Sequence, residues 1–388
     1  MYQRIISVLL AGLLLLGLVP AVHAAGPDIA APSAILMDAA TGTVLFEKNA
    51  HEKLAPASVT KVMTLLLVME ALESGRISWG DTVTASDHAA GKGGSQVYLE
   101  PGEQMSMDEM LKSVVVSSAN DCATALAEHI AGSEAAFVEM MNARAAELKL
   151  TDTHFVNCTG LDDEPNAAEH LTSAHDIAVM SRELLKHDDI RRYMTIWMDT
   201  VRDGKFGLSN TNKLVRFYEG TTGLKTGYTS AAGHCLSASA KRDGIELIAV
   251  VLHCASSTDR FQSAKALLDY GFANYALVSA ETPAPLAAIP VRLGTADAVA
   301  PVLQQSAPIL IDKAVQAQVS KAVTLEPELT APVAAGQQVG TMTVTAGDKT
   351  LAVIPIVASE TVDRLTLWQL TVRLLRRLCM GGSASAAG

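Results

Sequence analysis

Three short polar groupings carry the chemistry open to this chain. Ser58-Val59-Thr60-Lys61 sets a hydroxyl three residues from an amine. Ser118-Ala119-Asn120 sets a hydroxyl beside a carboxamide, and Lys225-Thr226-Gly227 adds a second amine on an apolar segment. A serine hydroxyl is a weak nucleophile until a neighbouring base takes its proton. On a helix, residues three apart face one another, so Lys61 stands one turn above Ser58. The positive end of that helix favours an alkoxide and a neutral amine near Ser58, and burial disfavours the ammonium form. The spacing therefore suits Lys61 as a general base for Ser58, and equally suits an exposed lysine in the first turn of an ordinary helix. The polar groups at 118 and 120 suit proton relay and an amide clamp on a substrate, and equally suit capping at a helix junction. On a strand Lys225 and Gly227 point the same way, and the glycine lets a ligand approach the backbone.

The elements that must position these residues can be read from periodicity. Two apolar runs between Ala34 and Phe46, punctuated by Thr41-Gly42, predict two short strands joined by a turn. Ser58 to Ser74 is apolar nearly all round and ends at Gly75, which predicts a central helix. Amphipathic helices are expected from Met107 to Ala131, Glu134 to Leu148 and Ser173 to His187. Thr221 to Thr229, His234 to Lys241 and Ile245 to His253 read as strands, and a helix follows from Asp259 to Tyr270. Strands at both ends of a helical block imply one sheet with helices packed on it and beside it.

Composition narrows the function classes. Arg4, an apolar run from Ile5 to Val19 and the small residues before Ala25 form a secretory leader, with cleavage expected after Ala24. The run falls short of the roughly 20 residues of a spanning helix. A formal charge of −11 argues against nucleic acid as a partner. Cys122, Cys158, Cys235, Cys254 and Cys379 show no C-x-x-C spacing, which disfavours a metal site. Most are expected to be small buried apolar residues. A hairpin closing at Asp243-Gly244 would place Cys235 opposite Leu252, so a bridge from Cys235 to Cys254 would need a register shift.

Beyond about Leu277 the sequence becomes rich in Ala, Pro, Val and Thr. Two alternating runs flank Ala346-Gly347-Asp348-Lys349, which predicts a hairpin in a small all-β domain over 277–359. An amphipathic helix is expected over 360–380, followed by a disordered tail at 381–388. Gln369, Arg373, Arg376, Arg377 and Thr366 share one arc of it, with Leu and Trp on the rest. That pattern suits a helix lying on a membrane surface. It also suits a helix docked on the β domain.

In this order the three motifs resemble those of the active-site serine penicillin-recognising enzymes. The surrounding stretches Ala57–Thr64, Ser118–Glu128, Asn157–Asp162 and Gly223–Thr229 are similar to the low-molecular-mass penicillin-binding proteins, serine D-alanyl-D-alanine carboxypeptidases. The likeness runs from about Ala31 to Phe272. It implies an α/β (α+β) penicillin-recognising serine transpeptidase/β-lactamase-like domain over 25–276, with an antiparallel sheet and a helical subdomain. The resemblance further implies that Ser58 is acylated and Lys61 is the base. Ser118 would pass a proton to the leaving amine, Asn120 would hold the substrate amide, and Lys225 would support Ser118. The backbone N–H groups of Ser58 and Tyr228 would form an oxyanion hole, with Gly227 beside them. Thr226 and Arg260 would grip the terminal carboxylate. The implied partners are peptidoglycan stem peptides, β-lactams and a membrane surface on the outer face of the cytoplasmic membrane, with no metal or organic cofactor. Tyr228 departs from relatives that carry His at this place.

Two other readings share these motifs. A β-lactamase would need a carboxylate-activated water, for which Glu164-Pro165-Asn166 is a superficial match that lacks the usual spacing. A non-catalytic wall-binding or antibiotic-sensing protein would not need Lys61, Ser118 and Lys225 together.

Overall fold

Ser33–Asp38 (β1) is buried at all six positions. It lies inside a sheet covered on both faces, where strands read as unbroken apolar runs. The computed structural model in which this is seen describes residues 26–304 and 307–380. The expected leader over 1–24 and tail over 381–388 lie outside the described residues. The chain divides into two units between Ala273 and Asn274.

In the first unit β2 (Val44–Lys48) returns against β1 across the predicted turn, where the Asp38 carboxylate accepts the Thr41 N–H at 2.8 Å and Gly42 adopts φ +76°. The helical block follows as α1 (Lys61–Glu73), α2 (Met107–Ser117), α3 (Asn120–Ala131), α4 (Glu134–Glu147) and α5 (Ala174–Leu184). The sheet is completed by β3 (Thr221–Thr229), β4 (Gly233–Arg242) and β5 (Ile245–Cys254), and α6 (Ser257–Asn274) closes the unit. Strand order is β2-β1-β5-β4-β3, with every neighbour antiparallel. α5 covers one face, where Ser181 Oγ and Ser237 Oγ are 2.7 Å apart. α6 covers the other. There Gly271 is forced by close approach, since a Cβ would stand 2.4 Å from Leu247 Cδ1. α1 is buried at ten positions, Lys61 among them, as its lack of a polar face predicts.

The β4–β5 hairpin closes at Asp243-Gly244, both at positive φ, which suits a two-residue turn. His234 pairs with Cys254 and Leu236 with Val251, so a bulge falls at Cys235. Cys122, Cys158, Cys235 and Cys254 are free and buried.

The second unit holds a four-stranded antiparallel sheet of β6 (Pro301–Leu303), β7 (Val319–Leu325), β8 (Gln338–Ala346) and β9 (Lys349–Ala358), in the order β6-β9-β8-β7. The predicted hairpin is β8–β9. A smaller sheet joins Ile289–Arg292 to Ala298–Val299 and, in parallel, to Leu329–Thr330. Val291, Val339, Met342, Val344 and Ile356 lie in the unit's core.

The last helix, α7 (Leu367–Met380), starts later than the sequence suggests. Arg364 is held extended in a bridge with Gly294, and the Leu365 N–H bonds the Leu293 carbonyl at 2.8 Å. Thr366 and Gln369 then exchange hydrogen bonds of 2.9 and 3.3 Å, a capping box that fixes the start. From the polar arc, Arg373 turns inward to the Gly294 carbonyl (2.8 Å) and pairs with Asp297. Leu367, Trp368, Leu374 and Leu375 remain exposed. Among the described residues no helix is long and apolar enough to cross a membrane.

Candidate active site

Ser58 sits in a single 3₁₀ turn, Ala57–Thr60, that runs straight into α1. The turn is held from several sides. Thr60 Oγ1 donates to the Ala57 carbonyl at 2.8 Å and lies 2.7 Å from His170 Nε2. The Val156 N–H donates to His170 Nδ1, so Nε2 carries the ring proton and donates to Thr60. Burial, followed by the charges of His154 and Lys61, drives the His170 pKa down to about 4, which keeps this ring neutral. Two glycines complete the cradle. A Cβ on Gly160 would lie 1.8 Å from the Ala57 carbonyl oxygen, and one on Gly227 would lie 2.7 Å from the Pro56 oxygen. The space that Gly227 leaves open, expected to admit a ligand, is filled by the nucleophile turn itself.

Lys61 Nζ stands 3.0 Å from Ser58 Oγ and donates to the Thr159 carbonyl at 2.8 Å. Burial lowers its pKa to about 7, against smaller opposing effects from Cys158, Asp121 and Glu134. The amine can therefore take a proton from the serine near neutral pH.

Ser118 ends α2 in the left-handed region, φ 64°, and Asn120 opens α3. The αL residue makes the helix junction that the polar residues suggest, and both side chains are buried there. The Asn120 side-chain amide donates to the Gly93 carbonyl at 2.7 Å, while its Oδ1 is buried without a partner. That free acceptor is what a clamp on a substrate N–H requires.

Lys225 on β3 is buried and donates to the Thr226 carbonyl at 3.0 Å. Burial, with repulsion from Lys61 and Arg260, pushes its pKa well down. Thr226 Oγ1 donates to Thr211 Oγ1 at 2.6 Å. Tyr228 is 59% exposed and stacks on His234 with ring centroids 4.4 Å apart. Arg260, expected at a substrate carboxylate, is buried against β3 and β4. Its Nη1 donates to the Gly227 and Cys235 carbonyls at 3.0 and 3.3 Å, which braces β3 against β4, and its Nε is a buried donor without a partner.

The fold thus brings together the Ala57–Thr60 turn with Ser58, the start of α1 with Lys61, and β3 with Lys225 and Thr226, and Thr211 ties β3 to the end of α2 beside Ser118 and Asn120. Sequence reasoning assigned no role to Thr159, His170 or Thr211. The polar triplet Asn210-Thr211-Asn212 before an apolar strand was a legible signal for the last. The Glu164 carboxylate pairs with Lys92.

Residues 20–256 match the family model for D-alanyl-D-alanine carboxypeptidases. The chain belongs to that family. Residues 272–364 match the C-terminal domain of penicillin-binding protein 5. The enzyme is 40% identical to D-alanyl-D-alanine carboxypeptidase DacF of Bacillus subtilis, over 92% of this chain and 94% of the relative. Penicillin binding protein 5 from Haemophilus influenzae superposes with a TM-score of 0.74 at 31% identity, covering 88% of this chain and 99% of that one. The ampicillin-bound form of penicillin-binding protein D2 from Listeria monocytogenes superposes at 0.57 and 28% identity, covering 63% and 98%. The enzyme therefore has the penicillin-recognising serine fold followed by a β-rich domain, and it is a serine-type D-alanyl-D-alanine carboxypeptidase.

Proposed function

We propose that this enzyme removes the terminal D-alanine from peptidoglycan stem peptides through an acyl-enzyme on Ser58. The observation that carries the reading is the Lys61 amine, 3.0 Å from Ser58 Oγ, with its pKa lowered to about 7 by burial. Lys61 accepts the hydroxyl proton as Ser58 Oγ attacks the carbonyl of the penultimate D-alanine. Ser118 relays a proton to the departing amine, and the C–N bond breaks to release D-alanine. Water then cleaves the ester and restores the hydroxyl. Asn120 Oδ1 accepts from the substrate amide, and the N–H groups of Ser58 and Tyr228 face the developing oxyanion, an interaction whose loss costs about 10²–10³ in rate. Lys225, buried on β3 with its pKa pushed well down, supports Ser118 as a neutral hydrogen-bond donor. Thr226 and Arg260 hold the terminal carboxylate, and Arg260 also steadies the strand that carries Thr226 and Gly227.

β-Lactams acylate the same serine, a reading supported by the ampicillin-bound relative. Export through the leader and attachment through α7 to the outer face of the cytoplasmic membrane complete it. In support, Leu367, Trp368, Leu374 and Leu375 are exposed on one helix, and burying such groups in an interface is favourable. Truncation before Thr361 should release the protein from anionic vesicles, and unchanged binding would remove the anchor from the proposal.

The deciding experiment labels wild type and Ser58→Ala with a fluorescent penicillin and follows D-alanine release from a pentapeptide. An adduct that depends on Ser58 and lasts many minutes, with D-alanine release, is expected. An adduct lost within seconds would instead indicate a β-lactamase, and no adduct a non-catalytic binder.

A further inference from the structure

Behind the nucleophile lies a buried ionic cluster that the proposed reaction does not use. Lys92 Nζ is 2.7 Å from Glu134 Oε2 and also pairs with Glu164, and Lys92 is only 6% exposed. His88 Nε2 lies 2.7 Å from the same Glu134 oxygen. The other oxygen, Oε1, accepts from the Cys158 N–H at 3.0 Å and from Cys158 Sγ at 3.1 Å. Burial alone would raise the Glu134 pKa. Hydrogen bonds from Lys92, the Cys158 backbone and His88 outweigh it and hold the carboxyl ionised, at about 2.

This carboxylate grips a segment whose backbone touches the base. The Cys158 carbonyl accepts from Thr64 Oγ1 at 2.6 Å, and the next carbonyl, Thr159, accepts from Lys61 Nζ at 2.8 Å. Asn157 Oδ1 closes the turn on the Gly160 N–H at 2.7 Å. A neutral amine has one lone pair. Binding one of its N–H groups to a fixed carbonyl limits where that lone pair can point, and Ser58 Oγ lies within reach. A buried carboxylate held by a lysine would be a costly way merely to fill space.

We propose that Glu134, clamped by Lys92, is a positioning residue for acylation, holding the Cys158–Thr159 peptide so that the Thr159 carbonyl orients Lys61 toward Ser58. The inference rests on the Ser58 acyl-enzyme reading. The titratable groups around Lys61 are Asp121 on α3, Glu134 on α4, Cys158 and His170 on the loops, and Lys225 on β3. Of these Glu134 alone is tied both to the Cys158 backbone and to a neutralising lysine.

The test measures the second-order rate of labelling by a fluorescent penicillin against pH, for wild type, Glu134→Ala and Glu134→Gln. Glu134→Ala removes both the grip and the charge, and should acylate about 10²-fold more slowly, the cost of a misplaced catalytic group. Glu134→Gln keeps an acceptor for the Cys158 N–H, so its plateau rate should stay within about tenfold of wild type. Its acid limb should move to lower pH, because a negative charge that favours the ammonium is gone. A wild-type rate in Glu134→Ala would overturn the proposal. Should Glu134→Ala not fold, Glu134→Asp decides: it keeps the charge and shortens the reach to the Cys158 N–H, so its plateau rate should fall at least about tenfold, and a wild-type plateau would overturn the proposal. If wild type were not labelled at Ser58, the acyl-enzyme reading itself would fall. A labelled Ser58 with an indifferent Glu134 would sink only this inference.

Discussion

Gly227 and Ser58 are packed so closely that a methyl group on the glycine would stand 3.0 Å from the Ser58 backbone nitrogen. The strand edge and the nucleophile turn are thus one surface. Gly227→Ala should push the turn away from β3. Overpacking of this kind costs about 1–3 kcal/mol, read as a lower melting temperature, and the displaced Ser58 should acylate at least about tenfold more slowly. Wild-type labelling by Gly227→Ala would show that the two elements move independently.

The buried Lys61 sets the expected pH dependence. Its active form is the neutral amine, so acylation should rise with pH through about 7 and then level. An unshifted lysine would still be climbing near pH 10. Lys61→Ala should lose the acid limb together with about 10²–10⁴ in rate. A limb that survives this substitution would assign the titration to another group.

Thr211 is tested by an isosteric change. Its hydroxyl accepts from Thr226 Oγ1 at 2.6 Å, and Thr211→Val leaves the Thr226 hydroxyl to reorient. One such bond is worth about 1 kcal/mol. KM for a D-Ala-D-Ala peptide should therefore rise several-fold, with kcat within about twofold. A fall in kcat alone would mean that Thr211 acts on the chemistry and not on binding.

Cys122, Cys158, Cys235 and Cys254 should be silent in the folded enzyme. Burial raises the thiol pKa of Cys235 to about 11 and of Cys254 to about 12, and pushes Cys122 and Cys158 well up. Reactivity follows the exposed thiolate. With Cys379 replaced by serine, a thiol reagent at pH 8 should titrate none of them until denaturant is added, and then all four. Rapid native labelling would contradict their burial.

Much of the architecture was open to reading from the chain alone. The unbroken apolar run of α1 marked a central helix, and Asp243-Gly244 and Gly347-Asp348 marked hairpins, because local backbone preferences decide turns. The order of the Ser58, Ser118 and Lys225 motifs was enough to infer a serine nucleophile with an amine base. Where periodicity was followed too far, a competing local contact explains the difference. α7 begins at Leu367 because Arg364 and Leu365 are taken by the Leu293–Gly294 backbone, and Thr366 then caps the helix.

The sequence by itself determined which residue types were available, and that Lys61 would face Ser58, since that relation spans a single turn. Only the tertiary structure decided what lies against them. Thr159, about a hundred positions from Lys61, supplies the carbonyl on its amine. Thr211 meets Thr226 across a loop, and Arg260 reaches two strand carbonyls from a helix. The lowered pKa of Lys61 belongs to this second kind. Desolvation depends on every element packed around the amine, and no spacing along the chain encodes it.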